Sequence, residues 1–161
     1  MEQKQFLDAL ARYQDMVYRI ALHQTGSRAD GEDAVQEVFL RLLTAQRPPG
    51  EEGHLRRWLM RVTVNYCRDL QKSAWRRRRV PLEDVPEIPV FQREEEAELY
   101  REVMSLPEKY RTVLYLFYYE ELSVREIAGV LEIKESLVTT RLSRARARLR
   151  ERLAEVWKDD E

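Results

Sequence analysis

Arg141, Arg144 and Arg148 follow one another at helical intervals near the end of the chain, with Ser136, Thr139, Thr140 and Ser143 interleaved or just upstream. Guanidinium groups at such intervals track phosphates, and short hydroxyl side chains beside them reach base edges. Arg150 extends the positive surface. The apolar positions Val124, Ile127, Ala128, Leu131, Ile133, Val138 and Leu142 are spaced as two crossing helices require, with the small Ala128 at the approach and Ile133 in the turn. This pattern fits a helix-turn-helix whose second helix enters a DNA groove. A solvated helix at the end of an ordinary bundle would carry similar residues, and that alternative stays open.

A second cluster lies upstream. Trp58, Tyr66 and Trp75 interleave with basic residues, the composition expected where bases stack on aromatic rings beside a groove that follows the backbone. Single-stranded or opened DNA suits it as a ligand, although Trp58 and Tyr66 also fit a hydrophobic core. The run from Arg76 to Arg79 calls for an anion, or for the acids that follow it.

Other chemistry is weaker. Asp30, Glu32, Asp33 and Glu37 stand about one turn apart and could hold Mg²⁺ in an all-α nucleotide hydrolase. That requires a second carboxylate pair on a neighbouring helix, and the acids from Glu94 to Glu98 lie beyond a linker. Helix capping and partner binding explain the first group better. His23, His54 and Cys67 are too scattered for a metal site, and neither a Ser/His/Asp set nor a phosphate-cradling glycine loop is present. The reading is therefore not an enzyme, with no cofactor and no metal.

Helices must position these groups. Phe6, Leu7, Leu10, Tyr13, Val17, Ile20 and Ala21 predict a first helix stopping near Thr25 and Gly26, after which Ser27 and Asp30 are candidate caps. Ala34, Val35, Val38, Phe39, Leu42 and Leu43 predict a second, with Asp30, Glu32 and Asp33 at the positive end of its dipole and Arg47-Pro48-Pro49-Gly50 ending it. A third, from about His54, is expected to bury Leu55, Trp58, Leu59, Val62, Tyr66 and Leu70 while Arg57, Arg61, Arg68 and Lys72 mostly face elsewhere.

Pro81, Pro86 and Pro89 then break any continuous helix and mark a linker. Beyond it helices are predicted over 93–104, 107–119, 123–131 and 134–156. Pro107 is expected at a first helical position, and Ser123 with Glu126 as a capping box. The fold class is all-α: two small helical domains, 1–79 and 94–161, joined by a Pro-rich acidic linker over 80–93.

In a chain of 161 residues with formal net charge −1, the distribution of charge says more than its sum. Nine basic residues between Arg56 and Arg79 face one acid, Asp69, and seven acids between Glu83 and Glu98 face one base, Arg93. Opposite charges that close predict self-masking, in which the acidic linker screens the arginine block. One cysteine permits no intrachain disulfide, and no segment reads as a signal peptide or a membrane span, so a cytoplasmic protein is expected.

Three motifs together carry a family resemblance: Asp33-Ala-Val-Gln-Glu-Val-Phe39; Trp58-Leu-Met-Arg-Val-Thr-Val-Asn65 with Asp69; and Leu106-Pro-Glu continuing through Leu122-Ser-Val-Arg-Glu-Ile-Ala128 to Arg141-Leu-Ser-Arg-Ala-Arg146. The chain resembles the sigma-70 family of bacterial RNA polymerase initiation factors, in its extracytoplasmic-function (ECF) group. The resemblance implies a promoter-specificity subunit whose first domain, region two, binds the polymerase clamp through Asp33, Gln36, Glu37, Leu40 and Arg41. It implies that Trp58, Asn65, Arg68, Lys72 and Arg76 recognise and open the minus-ten element. Region four would read the minus-thirty-five element through Thr139, Thr140, Ser143 and Arg144 while its other surface holds the polymerase flap. Core RNA polymerase, promoter DNA and an anti-sigma factor are the implied partners. A stand-alone helix-turn-helix regulator, dimerising through its first domain, is the rival reading.

The chain departs from the family pattern at Glu121 and Glu132, where glycine is frequent, and at Phe117 and Thr139, where a basic residue is frequent. A side chain held at positive φ costs on the order of 1–3 kcal/mol, which predicts a turn built differently around Glu132. The other two departures predict an atypical or weaker upstream DNA contact.

Overall fold

The computed structural model describes residues 1–49, 52–76 and 94–159. These are helical nearly throughout, with no strand among the described residues, and the chain divides into two units, Met1–Val85 and Pro86–Glu161. The expected linker over 80–93 and the arginines at 77–79 lie outside the described residues, and with them the self-masking contact.

The first unit packs three helices, α1 (Gln3–Thr25), α2 (Arg28–Thr44) and α3 (Glu52–Arg76). Helix α1 ends where Gly26 turns left-handed at φ 73° and its N–H bonds the Leu22 carbonyl at 2.8 Å, a conformation glycine adopts without a Cβ penalty. Ser27 then caps α2 by accepting from the Asp30 N–H at 3.2 Å, while Asp30 itself sits in the first turn. The α1–α2 approach is close at Gly31, where an added Cβ would lie 2.9 Å from the Tyr18 ring. Helix α2 stops at Thr44, capped by Ala45, ahead of the proline segment expected to end it.

The buried face of α3 differs from the expected stripe. Leu59, Met60, Thr63, Val64 and Cys67 are fully buried, whereas Leu55, Trp58, Val62, Tyr66 and Leu70 are only half-buried. The cause is two-sided packing: α3 lies against both α1 and α2, so its core seam runs beside the most hydrophobic line instead of along it. Polar side chains in that seam are paired. Thr63 Oγ1 donates to the Leu59 carbonyl at 2.6 Å, and buried Gln24 donates from Nε2 to the Val64 carbonyl at 3.0 Å. Gln71 Nε2 donates in turn to the Gln24 carbonyl at 3.0 Å, tying α3 to the end of α1. In α2, Leu43 departs from its expected core position and is 52% exposed.

The second unit contains α4 (Glu94–Ser105), α5 (Glu108–Leu114), α6 (Val124–Leu131) and α7 (Glu135–Asp159). Pro107 is the N-cap of α5, at ψ 148°, one place earlier than the expected first helical position, and its carbonyl accepts from Tyr110 and Arg111. The helix expected to reach residue 119 changes pitch after Leu114 into a π turn, Tyr115–Tyr119, closed by the Glu120 N–H on the Tyr115 carbonyl at 3.2 Å. The wider turn buries Tyr115 and Leu116 and turns Tyr118 and Tyr119 outward. Tyr115 donates its hydroxyl to Glu120 at 2.8 Å and stacks on Tyr119.

Ser123 and Glu126 form the expected capping box on α6. Glu132 corrects the expectation of a differently built turn: it adopts the left-handed conformation itself, φ 56° and ψ 46°. Its N–H and that of Ile133 both reach the Ala128 carbonyl, closing the helix as a glycine would. Glu121 is left-handed as well, at φ 57°.

Candidate nucleic-acid interface

Helix α6 and the turn at Glu132 aim α7. Ile127, Ala128 and Leu131 of α6 are buried, as are Val138, Leu142 and Ala145 of α7, and this seam fixes which side of α7 faces solvent. Ser136, Thr139, Thr140, Ser143, Arg144 and Arg148 are exposed. Arg141 is half-buried, with its Nε enclosed and without a hydrogen-bond partner among the described residues, so its stem packs against the unit while it borders the exposed side.

The hydroxyls have a defined polarity. Thr139 Oγ1 donates to the Glu135 carbonyl at 3.1 Å and Thr140 Oγ1 to the Ser136 carbonyl at 2.9 Å. With donors turned back on the helix, these oxygens present lone pairs outward and suit exocyclic amino groups of bases. Arg148 lies over the Tyr110 ring, 4.8 Å from its centroid, which restrains a long cation at low entropy cost.

In the first unit, Trp58, Asn65, Arg68 and Lys72 recur at intervals that place them along one side of α3, Lys72 exposed and the other three half-buried. Arg61, exposed, stands between Trp58 and Asn65 on the same line, a position that its charge in the sequence does not by itself assign to the site. Arg76 occupies the last residue of α3. A half-buried tryptophan beside a carboxamide and several cations can stack an unpaired base, hydrogen-bond its edge and hold the adjoining phosphates.

Asp33, Gln36, Glu37, Leu40 and Arg41 share a different face, on α2. Asp33, Gln36, Leu40 and Arg41 are exposed and Glu37 half-buried, and exposed Leu43 extends the apolar part of this face. Arg41 Nε bonds Glu37 Oε1 at 3.0 Å, an exposed i,i+4 pair worth a few tenths of a kcal/mol. The Arg41 guanidinium also lies 5.6 Å from the Tyr66 ring centroid. Burial pushes the Tyr66 hydroxyl pKa up, and the nearby Asp33 and Glu37 carboxylates push it further. Tyr66 therefore borders the acidic α2 face, a placement that its apolar spacing in the sequence did not reveal.

Among the described residues, no group of three or more His, Cys, Asp or Glu side chains could hold a metal ion, and no helix is long and apolar enough to cross a membrane. Cys67 is buried and, as the one cysteine in the sequence, forms no intrachain disulfide.

Residues 9–78 match the sigma-70 region 2 family model and residues 96–149 the sigma-70 region 4 model. ECF RNA polymerase sigma factor SigM of Mycobacterium tuberculosis is 31% identical over 86% of this chain and 71% of its own length. The chain belongs to the ECF group of the sigma-70 family. Two further relatives agree. ECF sigma factor SigE of Mycolicibacterium smegmatis is 34% identical over 91% of the chain, although the match spans only 61% of that protein. ECF sigma factor SigW of Bacillus subtilis is 28% identical, over 96% of this chain and 92% of that one. A solved structure, the sigma factor RpoE in complex with the anti-sigma factor NepR from Bartonella quintana, superposes with a TM-score of 0.73 at 18% identity, covering 94% of this chain and 98% of that one. At that identity the likeness shows the fold alone. Sigma factors are promoter-recognition subunits without catalytic activity of their own.

Proposed function

We propose that this chain is a promoter-specificity subunit that docks on bacterial core RNA polymerase, reads a bipartite promoter and opens it to start transcription. Residues 1–79 act as the clamp-binding and strand-opening domain, 80–93 as a tether, and 94–161 as the upstream reader. The role is non-catalytic and cytoplasmic. On α2, Asp33, Gln36, Glu37, Leu40 and Arg41 meet the polymerase. On α3, Trp58, Asn65, Arg68, Lys72 and Arg76 take the minus-ten strand, and on α7 Ser136, Thr139, Thr140, Arg141, Ser143, Arg144 and Arg148 take the minus-thirty-five duplex. An anti-sigma factor that masks these surfaces is the expected regulator.

One observation carries the reading: a single chain matching sigma-70 region 2 and region 4 sets half-buried Trp58 and Asn65 in line with Arg68 and Lys72 on α3, and exposed Thr139, Thr140, Ser143 and Arg144 on α7. Each grip is small. Held together on a polymerase, the second contact becomes effectively intramolecular and avidity replaces single-site strength. Unstacking duplex DNA costs a few kcal/mol per step, which capture of a flipped base near Trp58 and Asn65 offsets. The cationic contacts make the process sensitive to salt.

Run-off transcription over a promoter library tests this. Transcripts with defined starts are expected when the chain and core polymerase are both present. A library that yields no start depending on the chain overturns the proposal.

A further inference from the structure

Arg146 lies outside the residues assigned to DNA above, yet it is the most firmly seated cation on that side of α7. Its Nε donates to the Tyr118 hydroxyl at 2.6 Å, and its guanidinium carbon lies 5.3 Å from the Phe117 ring centroid and 5.4 Å from that of Tyr118. The two rings meet edge to face at 5.0 Å, so they form a corner. Both rings belong to the π turn Tyr115–Tyr119, whose extra residue per turn lets adjacent aromatic side chains reach the same neighbour.

Among the described residues, no carboxylate pairs with this guanidinium; the hydrogen bond and the two ring contacts are its interactions. A structural arginine at such a site normally ends on an acid or a carbonyl. Here the tyrosine occupies Nε, which leaves both terminal nitrogens as a fork, the geometry that matches phosphate oxygens.

Position along α7 adds a second constraint. Arg146 follows Thr139 by seven residues and Ser143 by three, and precedes Arg150 by four, so it occupies the same flank of the helix. Seven residues of helix advance about 10 Å. The DNA major groove is about 12 Å wide, so with Thr139 at the bases Arg146 arrives at the sugar-phosphate wall.

We infer that Arg146, seated on Phe117 and Tyr118, is a phosphate clip that fixes α7 in the groove, and that Tyr118 is its positioning residue. The inference rests on the DNA-binding reading of the second unit and names the contact that sets its register. Ordering a long side chain before binding removes entropy that would otherwise be lost in the complex. The contact is to backbone and carries no sequence information of its own.

The test is the salt dependence of full-chain binding to a duplex of mixed sequence, followed by fluorescence anisotropy. Arg146→Gln is expected to make the slope of log Kobs against log salt shallower by about 0.9, the value for one phosphate contact, which corresponds to about eightfold weaker binding at 0.1 M salt relative to 1 M. The loss should be equal on AT-rich and GC-rich duplexes. Arg146→Lys should keep the wild-type slope, since it keeps the charge. Tyr118→Phe preserves the ring and removes only the hydrogen bond, so it should weaken binding several-fold at unchanged slope.

A wild-type slope for Arg146→Gln overturns the clip, as does a loss confined to one duplex or an absence of wild-type binding at low salt. Lowered Tm in all three variants without any change in slope would mean that the cluster merely holds the π turn against α7. Transcription separates the two proposals: a wild-type slope for Arg146→Gln with core-dependent run-off intact removes the clip alone. A shallower slope in a chain that supports no core-dependent start removes the promoter-subunit reading alone.

Discussion

Helices α3 and α7 are both 25 residues long and rich in arginine, yet they relate to their cores in different ways. In α7 the buried seam is purely apolar: Val138, Leu142 and Ala145 are all within 2% of complete burial, with Leu137 exposed beside them. In α3 the seam runs through Met60, Thr63, Val64 and Cys67, leaving Trp58, Val62 and Tyr66 half-exposed beside it. Apolar and aromatic surface left beside a cationic line costs solubility, and it is what a protein needs in order to stack unpaired bases. A helix proposed to read a groove needs less of it, because phosphates and base edges are polar.

The largest expected effect breaks the comparison at its functional point. In Trp58→Ala/Asn65→Ala, loss of a stacking platform worth about 1–3 kcal/mol per base should sharply reduce permanganate-reactive thymines in complexes with core polymerase. Closed-complex binding should persist. Equal losses in both assays would remove α3 from strand opening.

The next effect separates seam from stripe. Met60→Ala should cost about 2–5 kcal/mol, as large-to-small core substitutions do, whereas Val62→Ala should cost about 1 kcal/mol, typical of a surface-near substitution. Urea denaturation measures both. The reverse order would restore the simple apolar stripe. On α7, Leu142→Ala should behave like Met60→Ala.

Gln24 sharpens the same contrast, because the α3 seam contains a buried polar cross-link, whereas the hydrogen bonds that α7 side chains make to other segments are exposed. Gln24→Ala removes its donation to the Val64 carbonyl and should destabilise the chain by about 1–3 kcal/mol, read by the same denaturation. An unchanged midpoint would mean that this buried amide is dispensable.

The smallest effect concerns the entry to α7. A left-handed side chain costs roughly 1–2 kcal/mol, so Glu132→Gly, at φ 56°, should raise stability by up to about 1 kcal/mol. A lowered Tm would show that the Glu132 side chain makes a compensating contact.

The sequence disclosed helices wherever local chemistry decides: Ser27 and Ser123 as caps, Gly26 as a stop, and the α6–α7 crossing through Ile127, Ala128, Leu131, Val138 and Leu142. It failed where tertiary packing decides. The rotation of α3 depends on two neighbours at once, and no single-helix periodicity encodes that. The π turn at Tyr115–Tyr119, which the apolar spacing reads as ordinary helix, brings Phe117 and Tyr118 to Arg146 and so conceals its seat from the sequence. Leu43 reads as core because it is apolar, yet it lies on the face that also carries Asp33, Glu37 and Leu40. The apolar stripe also set Trp58 apart from Arg61, Arg68 and Lys72, whereas the helix carries all four along one side with Asn65.

The most direct measurement is equilibrium binding of the purified chain to a promoter fragment and to a scrambled fragment, each with and without core RNA polymerase. Discrimination between the two fragments is expected with core present and not with the chain by itself. Equal discrimination without core would contradict the account and identify a regulator that acts alone.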